Sequence, residues 1–268
     1  MKDFAGKVCV ITGGASGIGL AVGRALGRAG GRLVLADIEQ GALDRALADL
    51  GGEGVEAVGR VTDVADRASV QALADFAFER FGAVHLLFNN AGVAVFGPTQ
   101  DMTHADWRWV MDVNLWGPIH GVECFVPRML AQGQDGHILF TASFAGIAPN
   151  LNLGPYNVTK AGVVALAESL WRDLKGTGLE VSVLCPQRVV SNIDHSERNR
   201  PAGLAATAPP EQAPEKMIAA RTLDADDVAA LTLGGLARGD LFIVTHKESQ
   251  ASVRRRFERL DSAFAWAV

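Results

Sequence analysis

The stretch Val8-Cys9-Val10-Ile11-Thr12-Gly13-Gly14-Ala15-Ser16-Gly17-Ile18-Gly19 decides how this chain is read. A β-branched, apolar run over Val8–Ile11 stops at a cluster of glycines, and an amphipathic pattern over Ile18–Arg28 follows at once. Strand, glycine turn and helix in that order place the free N–H groups and partial positive charge of a helix N-terminus beyond a turn where no Cβ blocks a phosphate. Gly13, Gly17 and Gly19 make the turn, with Ala15, Ser16 and Ile18 among them. Their spacing is not the strict G-x-G-x-x-G fingerprint, and a tight turn in any α/β protein also collects glycines. An acid, Asp37, ends the next apolar run. It comes about 20 residues on, where a dinucleotide's ribose hydroxyl is recognised.

The rest of the chain repeats this alternation. Short apolar runs at Leu33–Ala36, Val55–Val58, Leu86–Phe88, His137–Phe140, Val181–Leu184 and Leu241–Val244 read as further strands. Near-continuous apolar character is what a parallel sheet covered on both faces requires. Helical patterns lie between them, over Gln40–Leu50, Arg67–Phe81, Ala105–Leu130, Tyr156–Leu174 and Asp226–Leu236. Right-handed β-α-β crossovers then give an α/β fold, a single Rossmann-like, doubly wound parallel sheet of about seven strands with helices on both faces. The Ala105–Leu130 stretch contains Gly117-Pro118 and Pro127, so it is expected to kink or to split. No break in composition divides the chain, and residues 1–268 read as one domain. Residues 192–219, rich in Pro, Ala and charge and without a strand pattern, read as a flexible substrate lid.

Composition removes several classes of function. With 49% hydrophobic and 21% charged residues, 30 Gly and 10 Pro, the chain is neither disordered nor fibrous. A formal net charge of −5 argues against a nucleic-acid binder. The run Arg254-Arg255-Arg256 reads as a solvated helix face, because Phe257, Leu260 and Phe264 recur beside it at helical spacing. No apolar run approaches the roughly 20 residues of a membrane span, and no secretory signal precedes the first strand. Cys9, Cys124 and Cys185 sit in apolar segments and are expected to be buried thiols in a reducing cytoplasm. The six histidines show no metal-ligand spacing, so no metal is expected.

Two constellations carry chemistry. Asp37 offers a carboxylate to the ribose hydroxyls of NAD and repels the 2′-phosphate of NADP, and no Arg or Lys stands at Ala15, Ser16 or Ile38 to receive that phosphate. The other reading of Asp37 is a strand-end residue capping the next turn. The chain's single tyrosine lies in Tyr156-Asn157-Val158-Thr159-Lys160. Positions i and i+4 of a helix share a face, so the Lys160 ammonium can favour the Tyr156 phenolate and tune a group whose free pKa is ~10. A surface pair on a helix would look the same.

These residues, in this order, resemble the short-chain dehydrogenase/reductase family through about Ile193 and again near Leu241–Thr245. Thr12–Gly19 is similar to the family's glycine-rich turn, Asp63-Val64 to its adenine-side pair, and Asn89-Asn90-Ala91-Gly92 to its segment after the fourth strand. Asn114, Ser143, Tyr156 and Lys160 match its catalytic positions. The resemblance implies that Tyr156 exchanges a proton with the substrate oxygen and that Ser143 hydrogen-bonds the same oxygen. It implies that Lys160 lowers the tyrosine pKa and holds the nicotinamide ribose, and that Asn114 retains a water joining Lys160 to solvent. Asn90, Ala91, Gly92, Pro186, Val189 and Ser191 would flank NAD, with Val189 at the carboxamide.

The chain departs from the family at Pro186-Gln187, where glycine usually follows the proline, and at Ser191, which replaces a threonine. Val93, Phe96, Phe144, Ala145, Ile147, Leu151 and Leu153, with Gln187, are expected to form a largely apolar substrate pocket. Pro186–Ile193 and Phe125–Met129 are similar to bacterial members that oxidise bulky aryl or benzylic alcohols. The expectation is an NAD(H)-dependent oxidoreductase for a hydrophobic secondary alcohol or ketone, assembled as a homotetramer or homodimer. The alternatives are a hydroxysteroid dehydrogenase, an oxoacyl-thioester reductase, or a regulatory dinucleotide-binding protein without catalysis.

Overall fold

A computed structural model describes residues 1–205 and 221–266. The remainder of the expected lid, residues 206–219, lies outside the described residues. Among these, strands and helices alternate as β1 (Val8–Thr12), α1 (Gly17–Arg28), β2 (Arg32–Asp37), α2 (Gln40–Gly52), β3 (Ala57–Val61), α3 (Arg67–Phe81) and β4 (Leu86–Asn89). There follow α4 (His104–Met111), α5 (Gly117–Ala131), β5 (Gly136–Thr141), α6 (Phe144–Ile147), α7 (Gly154–Asp173), β6 (Leu179–Cys185), α8 (Ala225–Arg238), β7 (Phe242–Val244) and α9 (Gln250–Ala263). The strands form one parallel sheet in the order β3-β2-β1-β4-β5-β6-β7. The winding runs outward from β1 to β3, then restarts at β4 on the other side of β1.

Alternate residues of each strand feed two cores. Val8 and Val10 of β1, Val34 of β2, Leu87 of β4 and Ile138 of β5 pack on one side with α3, α5 and α7. Cys9, Ile11, Leu33, Leu35, Phe88 and Leu139 pack on the other with α1, α2 and α8. Burial on both faces is why the central strands are apolar at every position. The three thiols are buried and unpaired, and burial pushes Cys9 and Cys185 up to about 12. No helix among the described residues is long and apolar enough to cross a membrane.

The structure differs from the sequence reading in three places. The third strand was expected at Val55–Val58 and is Ala57–Val61. Val55 instead closes α2, with its N–H donated to Leu50 O, and its side chain packs against Gly27 of α1. As an edge strand, β3 is half exposed, which dilutes its apolar signal.

The stretch read as one helix over 105–130 is α4 and α5 joined by a π-turn at Asp112–Trp116, with the Gly117 N–H reaching back to Asp112 O. Pro118 falls in the first turn of α5, where a missing N–H is tolerated. Pro127 lies inside α5 without ending it.

Third, α9 carries no buried residue, so the apolar stripe of Phe257, Leu260 and Phe264 is solvent-exposed together with the arginines. Asn192–Asn199 and Ala202–Leu204 form short 3-10 turns. These are tied down by Arg200, whose buried guanidinium meets Asp106 at 2.5 Å and Glu197 at 3.0 Å and lies over the Trp109 ring.

Helix α5 lies hard against β4 at Gly121, where an added Cβ would fall 2.1 Å from Asn89 Oδ1. Gly121→Ala is expected to destabilise the protein by about 1–3 kcal/mol, typical of an overpacked core. In a thermal melt this lowers Tm by about 2–4 °C for each kcal/mol.

Candidate active site

Where winding reverses, between β1 and β4, the carboxyl ends of the strands leave a crevice. Residues from every strand end from β1 to β6 reach it. Gly13, Ser16, Gly17 and Ile18 border it from the turn after β1, Asp37 and Ile38 from β2, and Asp63 and Val64 from beyond β3. Asn90, Ala91 and Gly92 follow β4, Ser143 follows β5, Tyr156 and Lys160 come from α7, and Pro186, Val189 and Ser191 follow β6. Ala15 and Gly19 lie just behind this surface. Gly19 is packed so closely that a Cβ there would fall 2.2 Å from Gly13 O, and one on Gly13 would fall 2.9 Å from Ala91 Cα.

Asn90 holds the crevice open in one shape. Its Nδ2 donates to Thr12 O at 3.1 Å and Gly13 O at 3.2 Å, and its Oδ1 accepts from Thr141 Oγ1 at 2.9 Å. The N–H groups of Asn90 and Ala91 both donate to Thr12 Oγ1. One amide thus joins the glycine turn to the end of β5.

At the β5 end, Lys160 is buried and its Nζ donates to Thr141 O at 2.8 Å, 5.5 Å from the centre of the Tyr156 ring. Burial pulls the Lys160 ammonium down to about 8. Burial pushes the Tyr156 phenol up to about 12, opposed by the Ser143 hydroxyl beside it. In the free protein, therefore, desolvation outweighs any help from the lysine, and Tyr156 keeps its proton throughout the neutral range. Ser143 accepts from the Ala145 N–H at 3.1 Å and so caps α6.

Asn114 sits in the π-turn, wholly buried, just behind the cleft wall. Its side chain accepts from the Val93 N–H at 2.8 Å and donates to Val93 O at 2.9 Å, fixing the loop after β4. Pro118, four residues on, has no N–H for the Asn114 carbonyl, which lacks its α-helical donor.

At the far end, Asp37 Oδ2 accepts from the Ala15 N–H at 3.1 Å and Oδ1 from the Glu39 N–H at 3.2 Å. Burial holds its carboxyl above the usual carboxylate range, although both hydrogen bonds pull the other way.

The expected substrate pocket is rearranged. Val93 and Gln187 border the cleft, and its apolar wall is completed by Trp109, Val113 and Ile193. Phe144 and Ala145 are buried, since α6 turns inward directly after Ser143, and Leu153 is buried at the foot of α7. Phe96 and Ile147 are partly buried away from the cleft, and Leu151 is 85% exposed. Gln187 Oε1 accepts from Ser249 Oγ at 2.5 Å, so the extra bulk after Pro186 is braced by the residue just before α9. Sequence reasoning missed Trp109, Thr141, Glu39, Arg198 and Asn199, all at the cleft. Thr141 contributes a main-chain carbonyl, which no side-chain pattern announces.

Comparison with known proteins agrees with this geometry. A family model described as short chain dehydrogenase matches residues 7–202. A C alpha-dehydrogenase of Sphingobium sp. is 36% identical over 99% of this chain and 88% of its own length. A 1-deoxy-11-beta-hydroxypentalenate dehydrogenase of Streptomyces avermitilis is 35% identical over 94% of this chain and 88% of its own. The crystal structure of a short chain dehydrogenase/reductase from Burkholderia phymatum in complex with NAD superposes with a TM-score of 0.94 at 42% identity, covering 98% of this chain and 97% of that one. The family match takes in the glycine turn, the tyrosine–lysine helix and every strand but β7, and on that ground the chain belongs to the short-chain dehydrogenase/reductase family.

Proposed function

We propose that the protein is an NAD(H)-dependent oxidoreductase interconverting a hydrophobic, bulky or aryl, secondary alcohol and its ketone. The observation that carries this reading is one continuous cleft with Asp37 at one end and Ser143, Tyr156 and Lys160 beside an apolar wall at the other. Relatives named as dehydrogenases, one of them for 1-deoxy-11-beta-hydroxypentalenate, support the reaction class, and the Burkholderia neighbour, in complex with NAD, supports the cofactor. One relative is a D-threitol dehydrogenase, but Val93, Trp109, Val113 and Ile193 suit a hydrophobic substrate better than a polyol.

The residues fit a dinucleotide. Gly13–Gly19 would receive the pyrophosphate at the α1 N-terminus, Asp37 the adenosine ribose, Asp63 and Val64 the adenine side, and Val189 the carboxamide. A bound nicotinamide supplies the hydride chemistry. The chain's own work is proton transfer at the substrate oxygen. Tyr156 Oη gives that oxygen its proton in ketone reduction and takes it in alcohol oxidation, while Ser143 Oγ donates a hydrogen bond to it. Lys160 supplies a cation beside the phenol and a donor for the nicotinamide ribose. The Asn114 carbonyl is free of its α-helical donor, in keeping with a bound water on the path from Lys160 to solvent. Residues 192–205, anchored beside Trp109 through Arg200, would flank the substrate end.

Exposed apolar residues Trp116, Leu130, Val158 and Trp171 around α5 and α7, and Phe257, Leu260 and Phe264 on α9, support a homotetramer or homodimer. The three free thiols suit the cytoplasm.

Tyr156→Phe is expected to reduce turnover by about 10²–10⁴-fold while NADH binding, followed by fluorescence, is kept. Because the phenol is raised toward about 12, it rests as an acid. Alcohol oxidation should therefore accelerate from pH 6 to 8, and ketone reduction should not. A kcat/KM profile for oxidation that falls over this range contradicts the assignment. NAD should exceed NADP by at least about tenfold in kcat/KM, since Asp37 meets the 2′-phosphate as a like charge. Light scattering at micromolar concentration should give a mass above that of one chain.

A further inference from the structure

Two cationic side chains line the cleft among the described residues, Lys160 at the catalytic end and Arg198 at the adenosine end. Arg198 belongs to the 3-10 turn over Asn192–Asn199, and that turn holds it from behind. Its Nη1 donates to Asn192 O at 3.1 Å and to His195 O at 2.7 Å. Its remaining edge, Nε and Nη2, is directed across the cleft mouth onto Glu39 Oε1, at 3.0 and 2.7 Å, and Asn199 Nδ2 reaches the same oxygen at 2.8 Å. These hydrogen bonds, that of Asn199 first, keep the Glu39 carboxyl below the usual carboxylate range, so it stays ionised at neutral pH. Glu39 in turn lies two residues beyond Asp37 and donates its N–H to that carboxylate at 3.2 Å.

An Nε–Nη2 edge is the two-donor fork that grips a carboxylate or a phosphate in bidentate fashion. It stands preoriented at the rim where an adenosine 2′-phosphate would arrive, and Glu39 covers it. We propose that Glu39 is a specificity-determining residue for the dinucleotide: by occupying this edge of Arg198 it withholds the one guanidinium that NADP would use. The inference rests on the reading of Asp37 as the ribose acceptor. Asp37 then repels the phosphate, and Glu39 removes the cation that would offset the repulsion. With both acids present, the rim carries one net negative charge against Arg198; without Glu39 it carries none.

Glu39 makes no side-chain cap to α2, so its removal leaves that helix its hydrogen bonds. The test is a fluorescence titration of the protein with NADPH and with NADH, without substrate. In Glu39→Ala the preference for NADH over NADPH should shrink by about tenfold, as a charge-assisted fork becomes available. In Glu39→Ala combined with Arg198→Met the preference should return to that of Arg198→Met alone. An unchanged preference in Glu39→Ala overturns the proposal. So does an equal gain in the Arg198→Met background, since the lost carboxylate, not a released guanidinium, would then be responsible. An unmodified protein that binds NADPH as tightly as NADH strikes instead at the Asp37 reading beneath it, and NADH binding by each variant reports that it is folded.

Discussion

The carboxamide of Asn90 is the joint on which the site depends. Parallel strands end side by side, but nothing in the sheet itself sets the relative positions of the loops that leave them. Asn90 supplies that constraint by donating to two successive carbonyls of the glycine turn and accepting from Thr141. Thr141 then offers its own carbonyl to Lys160, so the place where a pyrophosphate would sit and the place where a proton would move are three hydrogen bonds apart. Such a chain is strong only when every member is satisfied, because a buried amide without partners loses more than its bonds were contributing. The glycines matter for the same reason. A Cβ on Gly19 would press on both Gly13 O and Asn90 Nδ2.

The β5 end of the cleft shows what enclosure does to a pair of titratable groups. Tyr156 and Lys160 are one helical turn apart, as a proton-transfer pair needs, yet burial drives the phenol up and the ammonium down, each toward its neutral form. In the free protein the phenol therefore keeps its proton. A charge introduced beside the pair has a large effect in such surroundings, because little water remains to screen it. The Asp37 end is different in kind. Asp37, Glu39 and Arg198 lie at a partly open rim, where placement decides more than field strength.

Most of the sheet was legible because its central strands are buried on both faces and show it as unbroken apolar runs. The edge strand β3 was not, since half of it meets water and the nearby Val55 packs on a helix instead. Tyr156 and Lys160 were legible as a pair one helical turn apart, whereas Ser143 and Asn114 stood out only through the resemblance to the family. The substrate wall was only partly legible. Phe144, Ala145 and Leu153 are as apolar as Trp109 and Val113, and only the direction taken by the chain after Ser143 separates core from cleft. Arg198 and Glu39 lie 159 residues apart and carry charge, so no local pattern announces that they meet.

The π-turn at Asp112–Trp116 has a consequence for how this chain can vary. A helix advances about 100° per residue, so the one residue absorbed in the wide turn rotates all of α5 by that angle relative to a regular continuation of α4. That offset lets Asn114 reach Val93 while Gly121 still presses against Asn89. Deleting any one residue here would run α4 into α5 as one helix, with Pro118 now inside it and without an N–H to give, and would aim either Asn114 or the α5 core face at the wrong neighbour. Related sequences are thus held not only to the Asn114 side chain but to the number of residues between Asp112 and Trp116, and an alignment that opens a gap there has mistaken the helix for a loop.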